Sequence, residues 1–240
     1  MVDVISNLKA VVEAMREEEN KLNLKEGSVS LCAVSKTKPL SMIEEVLSSP
    51  YGIVNIGENY VQEIEAKFSA RSINPILSSH PFNLRLIGHL QSNKVKAVLP
   101  LVDYIDSVDS LKILDKINEH AISINKKIKI LLELNTAHDG EKTGFMSDDE
   151  LFLALDGIEN KTGVEVKGLM TMGALNGSES EVASSFAHCR KVMEKVQKEH
   201  PSLSLDTLSM GMSHDYKIAM SEGSTMIRIG TNIFGARGVV

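Results

Sequence analysis

A lysine stands where the first apolar run of the chain ends. Val29–Val34 gives way to Ser35-Lys36-Thr37-Lys38-Pro39, so Lys36 is the first cation after a strand-like segment. An amine at the rim of an apolar core can do Schiff-base chemistry, because desolvation disfavours the ammonium and exposes the nitrogen lone pair. The plainer alternative is a solvated loop lysine. Near the other end of the chain, Gly211, Ser213, Gly230 and Thr231 follow two more apolar runs. Loop amides at such positions hold phosphate groups, the reading the set favours when taken together, although each glycine alone reads more simply as turn geometry. Ser213, in Ser213-His214-Asp215, is placed to cap a helix. Arg228 sits among Met226, Ile227 and Ile229, and alternation along a barrel strand allows it to point inward. There it either pairs with a structural carboxylate or donates to a ring nitrogen, such as the pyridine nitrogen of pyridoxal 5′-phosphate (PLP). An arginine in that role leaves the nitrogen unprotonated and weakens the electron sink. Such a site suits holding the cofactor, or racemase-like chemistry, better than transamination.

These residues need elements to position them. The first two dozen residues carry Val4, Ile5, Leu8, Val11, Val12 and Met15 at helical spacing, and the acidic run Glu17–Glu19 reads as a solvated face of that helix. Eight short apolar runs follow: Val29–Val34, Ile53–Ile56, Leu84–Ile87, Val102–Ile105, Ile128–Leu134, Val164–Met170, Thr207–Met210 and Met226–Ile229. Segments of helical period lie between them, among them Met42–Leu47, Val61–Phe68, Leu111–Ile124 and Val182–Val196. Alternation of this kind predicts parallel strands joined by crossovers. The expected fold is one domain over residues 1–240, a single (β/α)8 TIM barrel with an extra N-terminal helix. Active sites of such barrels lie at the C-terminal ends of the strands, which is where Lys36, Ser213, Gly230 and Thr231 fall.

Composition removes several function classes. With 26 Lys+Arg against 32 Asp+Glu the net charge is -6, so no basic footprint for nucleic acid exists. No apolar run approaches a bilayer span and no leader pattern is present, which makes the cytoplasm the expected compartment. Cys32 and Cys189 have no metal or redox spacing and read as reduced structural thiols. The seven histidines form no metal or triad motif, although His89 and His214 fall at the expected barrel mouth. Met170, Met172, Met210 and Met212 read as core or as packing against a ring face.

The motifs taken together resemble the pyridoxal phosphate homeostasis proteins (the YggS/PROSC family), whose fold is similar to the N-terminal barrel of alanine racemase. The likeness runs through AVSKTKP at 33–39, GENYVQE at 57–63, IGHLQSNK at 87–94, KGLMTMGA at 167–174 and LSMGMSHDYKIAMSEGSTMIRIGTNIFGAR at 208–237. It implies that Lys36 is the Schiff-base lysine and that Asn59 lies near the ring hydroxyl. It also puts Ser213, Gly230 and Thr231 on the phosphate, with Ser209 as a further neighbour, and Arg228 on the pyridine nitrogen. The implied role is intracellular PLP homeostasis without dedicated catalysis, by a monomer whose partners are PLP and recipient apo PLP-dependent enzymes. The alternative is a PLP-dependent racemase-like enzyme. Alanine racemase, however, takes its second proton carrier from a tyrosine on a separate C-terminal β-domain, and this chain ends at Val240, shortly after the eighth strand. Of the four tyrosines, Tyr60 and Tyr216 are nearest the expected site, whereas Tyr51 and Tyr104 read as structural. Leu84 and Arg85 replace the family's usual aromatic and histidine residues, and Ile56 replaces a common phenylalanine; these changes are expected to reshape the pocket wall.

Overall fold

A computed structural model describes residues 2–137, 143–174 and 176–236. Eight parallel strands close into a barrel in strict chain order. They are β1 (Ser30–Val34), β2 (Asn55–Glu58), β3 (Asn83–Leu86), β4 (Tyr104–Val108), β5 (Ile128–Glu133), β6 (Val164–Met170), β7 (Thr207–Ser209) and β8 (Met226–Ile229). Outside them run α1 (Val4–Lys21), α2 (Leu40–Leu47), α3 (Val61–Phe68), α4 (Pro75–Ser79), α5 (Val95–Val98), α6 (Leu111–Ser123), α7 (Asp148–Leu155), α8 (Glu179–Glu199), α9 (Tyr216–Ser221) and α10 (Thr231–Phe234). The (β/α)8 barrel with its additional N-terminal helix is therefore the architecture of the chain.

Strand faces explain where sequence boundaries and structure part. The outward faces, with Ile56, Leu84, Leu86 and Ile105, pack under the helices in one continuous apolar core. The lumen has only a small apolar cluster, Cys32, Val34 and Met226, with Ile87 against it. Many of its other buried residues are polar, including Asn55, Arg85, Asp106, Ser209 and Arg228. An apolar-run criterion thus ends too early at β2, which continues to the buried Glu58, and at β4, which continues through Asp106 and Ser107. Between β5 and β6 the register shifts, and the strand carries Gly168 at φ +150. A Cβ there would collide with the Thr207 carbonyl oxygen, so only glycine lets β7 approach.

The N-terminal helix buries Val4, Leu8, Val11 and Met15 against α2, α9 and α10. Its acidic run is not a solvated face throughout. Glu19 is fully buried, accepting bonds from Val29 N at 2.8 Å, Gly27 N at 3.0 Å and Arg16 Nη1 at 2.7 Å. The reason is the chain reversal at residues 22–28, which brings the start of β1 back onto the helix end with amides in need of an acceptor. The two thiols are buried, and burial pushes both up to about 12, as befits structural cysteines.

Candidate functional site

At the C-terminal mouth of the barrel lies a cavity of about 280 Å³. All six residues singled out in the sequence line it: Lys36, Asn59, Ser213, Arg228, Gly230 and Thr231. They come from the ends of four different strands, β1, β2, β7 and β8, so closure of the barrel is what assembles them.

Lys36 sits in a turn directly after β1. Ser35 N donates to Gly57 O at 2.9 Å, and Lys38 N closes the turn on Ser35 O at 3.1 Å. Thr37 occupies the left-handed region at φ 63, an uncommon conformation for a β-branched residue. Asn59 is approached from the side by the segment that follows β3: a Cβ on Gly88 would meet Asn59 Cα at 2.9 Å, so glycine allows the two backbones to approach closely. The rim loops are tied together across the mouth. Lys38 Nζ donates to Ala236 O at 2.7 Å, and Asn232 Nδ2 to Ser213 O at 3.4 Å.

Ser213 lines the cavity but does not cap the following helix. The helix begins two residues later than the sequence suggests, behind Asp215, whose Oδ1 accepts from Met212 N at 2.6 Å. That bond fixes the loop carrying Ser213. Ser209 also departs from expectation. It is fully buried and does not line the cavity; its hydroxyl and carbonyl accept from Arg228 Nη1 at 2.9 and 2.8 Å. Strand β7 alternates, so a residue one step below the rim faces the lumen and not the loop space.

Arg228 is buried, and its Nη2 donates to Thr171 O at 2.9 Å. Its three acceptors are two carbonyls and a hydroxyl, so the ion-paired structural alternative is not what these bonds show. A guanidinium carries more N–H donors than these three bonds use, and Arg228 is among the cavity-lining residues. Burial draws the Arg228 pKa below its ordinary value, opposed by Asp106, Cys32, Glu133 and Asp215. Arginine remains a cation even so.

The methionines divide by depth. Met170, Met172 and Met212 line the cavity, and Met210 is core. His214 is also on the lining, whereas His89 turns aside to Asp109, with Nδ1 and Oδ2 2.7 Å apart. Tyr60 is half exposed, and none of the four tyrosines is among the cavity-lining residues. Ile56, Leu84 and Arg85 do not form the wall either. The first two face the helices, and Arg85 lies deeper in the lumen, donating to Asp106 Oδ2 at 2.8 Å under a Tyr104 ring. The wall is instead made by Val34 and Ile87, which the sequence reading passed over. Strand period was the signal available: Val34 lies two residues before Lys36, on the same face.

Comparison with known proteins places these residues in context. The sequence profile described as alanine racemase, N-terminal domain, matches residues 7–238. A pyridoxal phosphate homeostasis protein of Haemophilus influenzae is 37% identical over 229 residues, covering 94% of this chain and 91% of its own. The chain belongs to the pyridoxal phosphate homeostasis protein family. PipY of Synechococcus elongatus, solved with PLP bound, superposes with a TM-score of 0.77 at 32% identity, covering 92% of this chain and 99% of PipY. An alanine racemase of Clostridium difficile shares the fold alone, at TM-score 0.69 and 17% identity, over 92% of this chain and 55% of the racemase. No helix among the described residues is long and apolar enough to cross a membrane.

Proposed function

We propose that the chain binds PLP covalently through Lys36 and holds it for intracellular use, with apo PLP-dependent enzymes as recipients and no dedicated catalysis of its own. The observation that carries this reading is a single cavity lined by a lysine, a hydroxyl and glycine-bearing loop, and a buried arginine. When bound, PLP supplies an aldehyde carbon that condenses with a neutral amine, forming a C=N bond and releasing the oxygen as water. In this chain the amine is Lys36 Nζ. Ser213 and the amides at Gly230 and Thr231 receive the phosphate, Asn59 the ring hydroxyl, and Val34, Ile87 and the methionines enclose the ring. Arg228 stands as donor to the pyridine nitrogen and keeps it neutral, since a protonated nitrogen would set two cations together in a desolvated site.

Two features favour holding over turnover. The cavity is at the small end of the range for small-molecule sites, roughly 300–1,000 Å³, room for one compact ligand and little more. An arginine on the ring nitrogen also withholds the positive charge that electron-sink chemistry uses, which weighs against transamination and leaves racemase-like chemistry as the competing form of turnover. PipY, solved with PLP bound, and the relatives named for PLP homeostasis support the same reading.

Borohydride reduction tests it. The reduced protein should carry one PLP-derived mass on the peptide containing Lys36, and Lys36→Ala should lose the covalent chromophore. Labelling on Lys38 or Lys94 in the wild type would move the link elsewhere.

A further inference from the structure

We propose that Lys67 is a positioning residue for Lys36, acting through the residues on either side of it. The inference rests on the reading above that Lys36 carries the covalent link. Lys67 projects from α3 with its side chain 11% exposed, and its Nζ makes three bonds. They go to Ser35 O at 3.0 Å, Glu58 Oε1 at 2.8 Å and Glu63 Oε2 at 2.6 Å. Each acceptor bears on the turn that presents Lys36. Ser35, the residue before, gives its carbonyl to Lys67 and its hydroxyl to Glu58 Oε1 at 2.6 Å. Thr37, the residue after, gives its amide to Glu63 Oε2 at 2.8 Å. One ammonium therefore ties both flanks of Lys36 to β2 and α3.

The backbone of the turn gives the network something to hold. Thr37 sits at φ 63, and a left-handed conformation at a β-branched residue persists only where the surroundings over-determine it. Here the Glu63 carboxylate on the Thr37 amide does so, and Lys67 holds Glu63 in place. Lys67 also matters to Glu58: burial drives the Glu58 pKa up, and the Lys67 and Ser35 bonds oppose that rise. Without Lys67 the carboxyl is free to take up a proton, the Ser35 bond weakens, and both flanks of the turn loosen together.

A nucleophile displaced by about 1 Å can lose up to about a hundredfold in rate, so the effect belongs in the attachment step more than in overall affinity. The test measures covalent attachment of PLP by stopped-flow absorbance in wild type, Lys67→Met, Lys67→Arg and Glu63→Gln. Pyridoxine 5′-phosphate, which has the ring and phosphate but no aldehyde, is titrated in parallel, and circular dichroism checks the fold. Lys67→Met should attach PLP at least tenfold more slowly, with a shifted pH dependence of the bound chromophore, while pyridoxine 5′-phosphate affinity stays within about twofold of wild type. Lys67→Arg, which keeps the cation, should recover most of the rate, and Glu63→Gln should show a smaller slowing in the same direction. Should Lys67→Met fail to fold, Lys67→Arg and Glu63→Gln decide the matter. Unchanged attachment rates in the folded variants, or attachment and pyridoxine 5′-phosphate affinity falling in parallel, overturn the positioning role. Failure of the underlying reading looks different: the wild type itself would then carry no borohydride-fixed cofactor at Lys36.

Discussion

Glu133 is a carboxyl whose protonation its surroundings shift towards neutral pH. It ends β5 inside the barrel, with Oε1 accepting from Thr143 Oγ1 at 2.9 Å and Oε2 buried without a hydrogen-bond partner. Burial pushes its pKa to about 7, the Thr143 bond and the Arg228 and His89 charges opposing and Asp109 adding to the rise. The sign follows from proton binding. Between the ordinary 4.5 and about 7 the folded state binds this proton more tightly than the unfolded chain, so the associated stability is complete below about 4.5 and lost as pH rises towards 7. The loss amounts to roughly 3 kcal/mol at most. Glu133→Gln should flatten that part of the profile, with wild type and variant diverging most between their urea midpoints at pH 5 and pH 8. Equal slopes for the two proteins would mean that Glu133 is ionised throughout and that its neighbours, not burial, control it.

At the scale of elements, the ends of the strands taught more than their middles. Five of the six cavity residues singled out in the sequence were legible because polar and glycine residues following an apolar run announce a barrel rim, whereas Arg228 stands inside such a run and was marked by strand alternation. Ser209 was misplaced because its sequence neighbours are those of a rim residue, whereas the alternation of β7 turns its hydroxyl into the lumen, to Arg228. Lys67 was not legible at all. On α3 it has the spacing of an ordinary surface lysine, and only the crossing of the helix over the β1 turn brings it to Ser35. Glu19 was hidden in the same way, since an acidic triplet reads as a wet helix face until the chain returns. That return makes a prediction. Glu19→Ala should cost about 2–3 kcal/mol, because the buried Val29 amide would lose its acceptor and Arg16 its partner. The urea midpoint should fall accordingly with an unchanged slope; a shift under about 0.5 kcal/mol would show that water reaches the Val29 amide once the carboxylate is gone.

The whole molecule sets its lysine, its hydroxyl-bearing loops and its arginine on four strand ends around one small cavity, and the question for the molecule as a whole is whether that arrangement releases protons from a bound amino acid. The ring nitrogen sets how readily that happens, because removal of a Cα proton leaves an electron pair that a protonated pyridine accepts better than a neutral one. With Arg228 fixed by Ser209 O, Ser209 Oγ and Thr171 O, the guanidinium has little freedom to turn away. PLP-loaded wild type in deuterated water with single L-amino acids should therefore exchange Cα–H no faster than PLP free in solution, and exchange at enzyme-like rates would sink the holding role. Arg228→Glu supplies the anion that favours a protonated ring, and exchange should rise even as affinity falls. The cost to the protein is clear from the same contacts: the new carboxylate would face the carbonyls of Ser209 and Thr171, so this variant loses stability for reasons unrelated to the ring. Arg228→Gln is the control, since its amide can still donate to a carbonyl while leaving the ring without an anion. It should bind PLP less tightly than wild type and leave exchange at the background rate. If Arg228→Glu retains PLP and its exchange matches that of Arg228→Gln, the guanidinium serves the lumen bonds to β6 and β7 and not the cofactor ring.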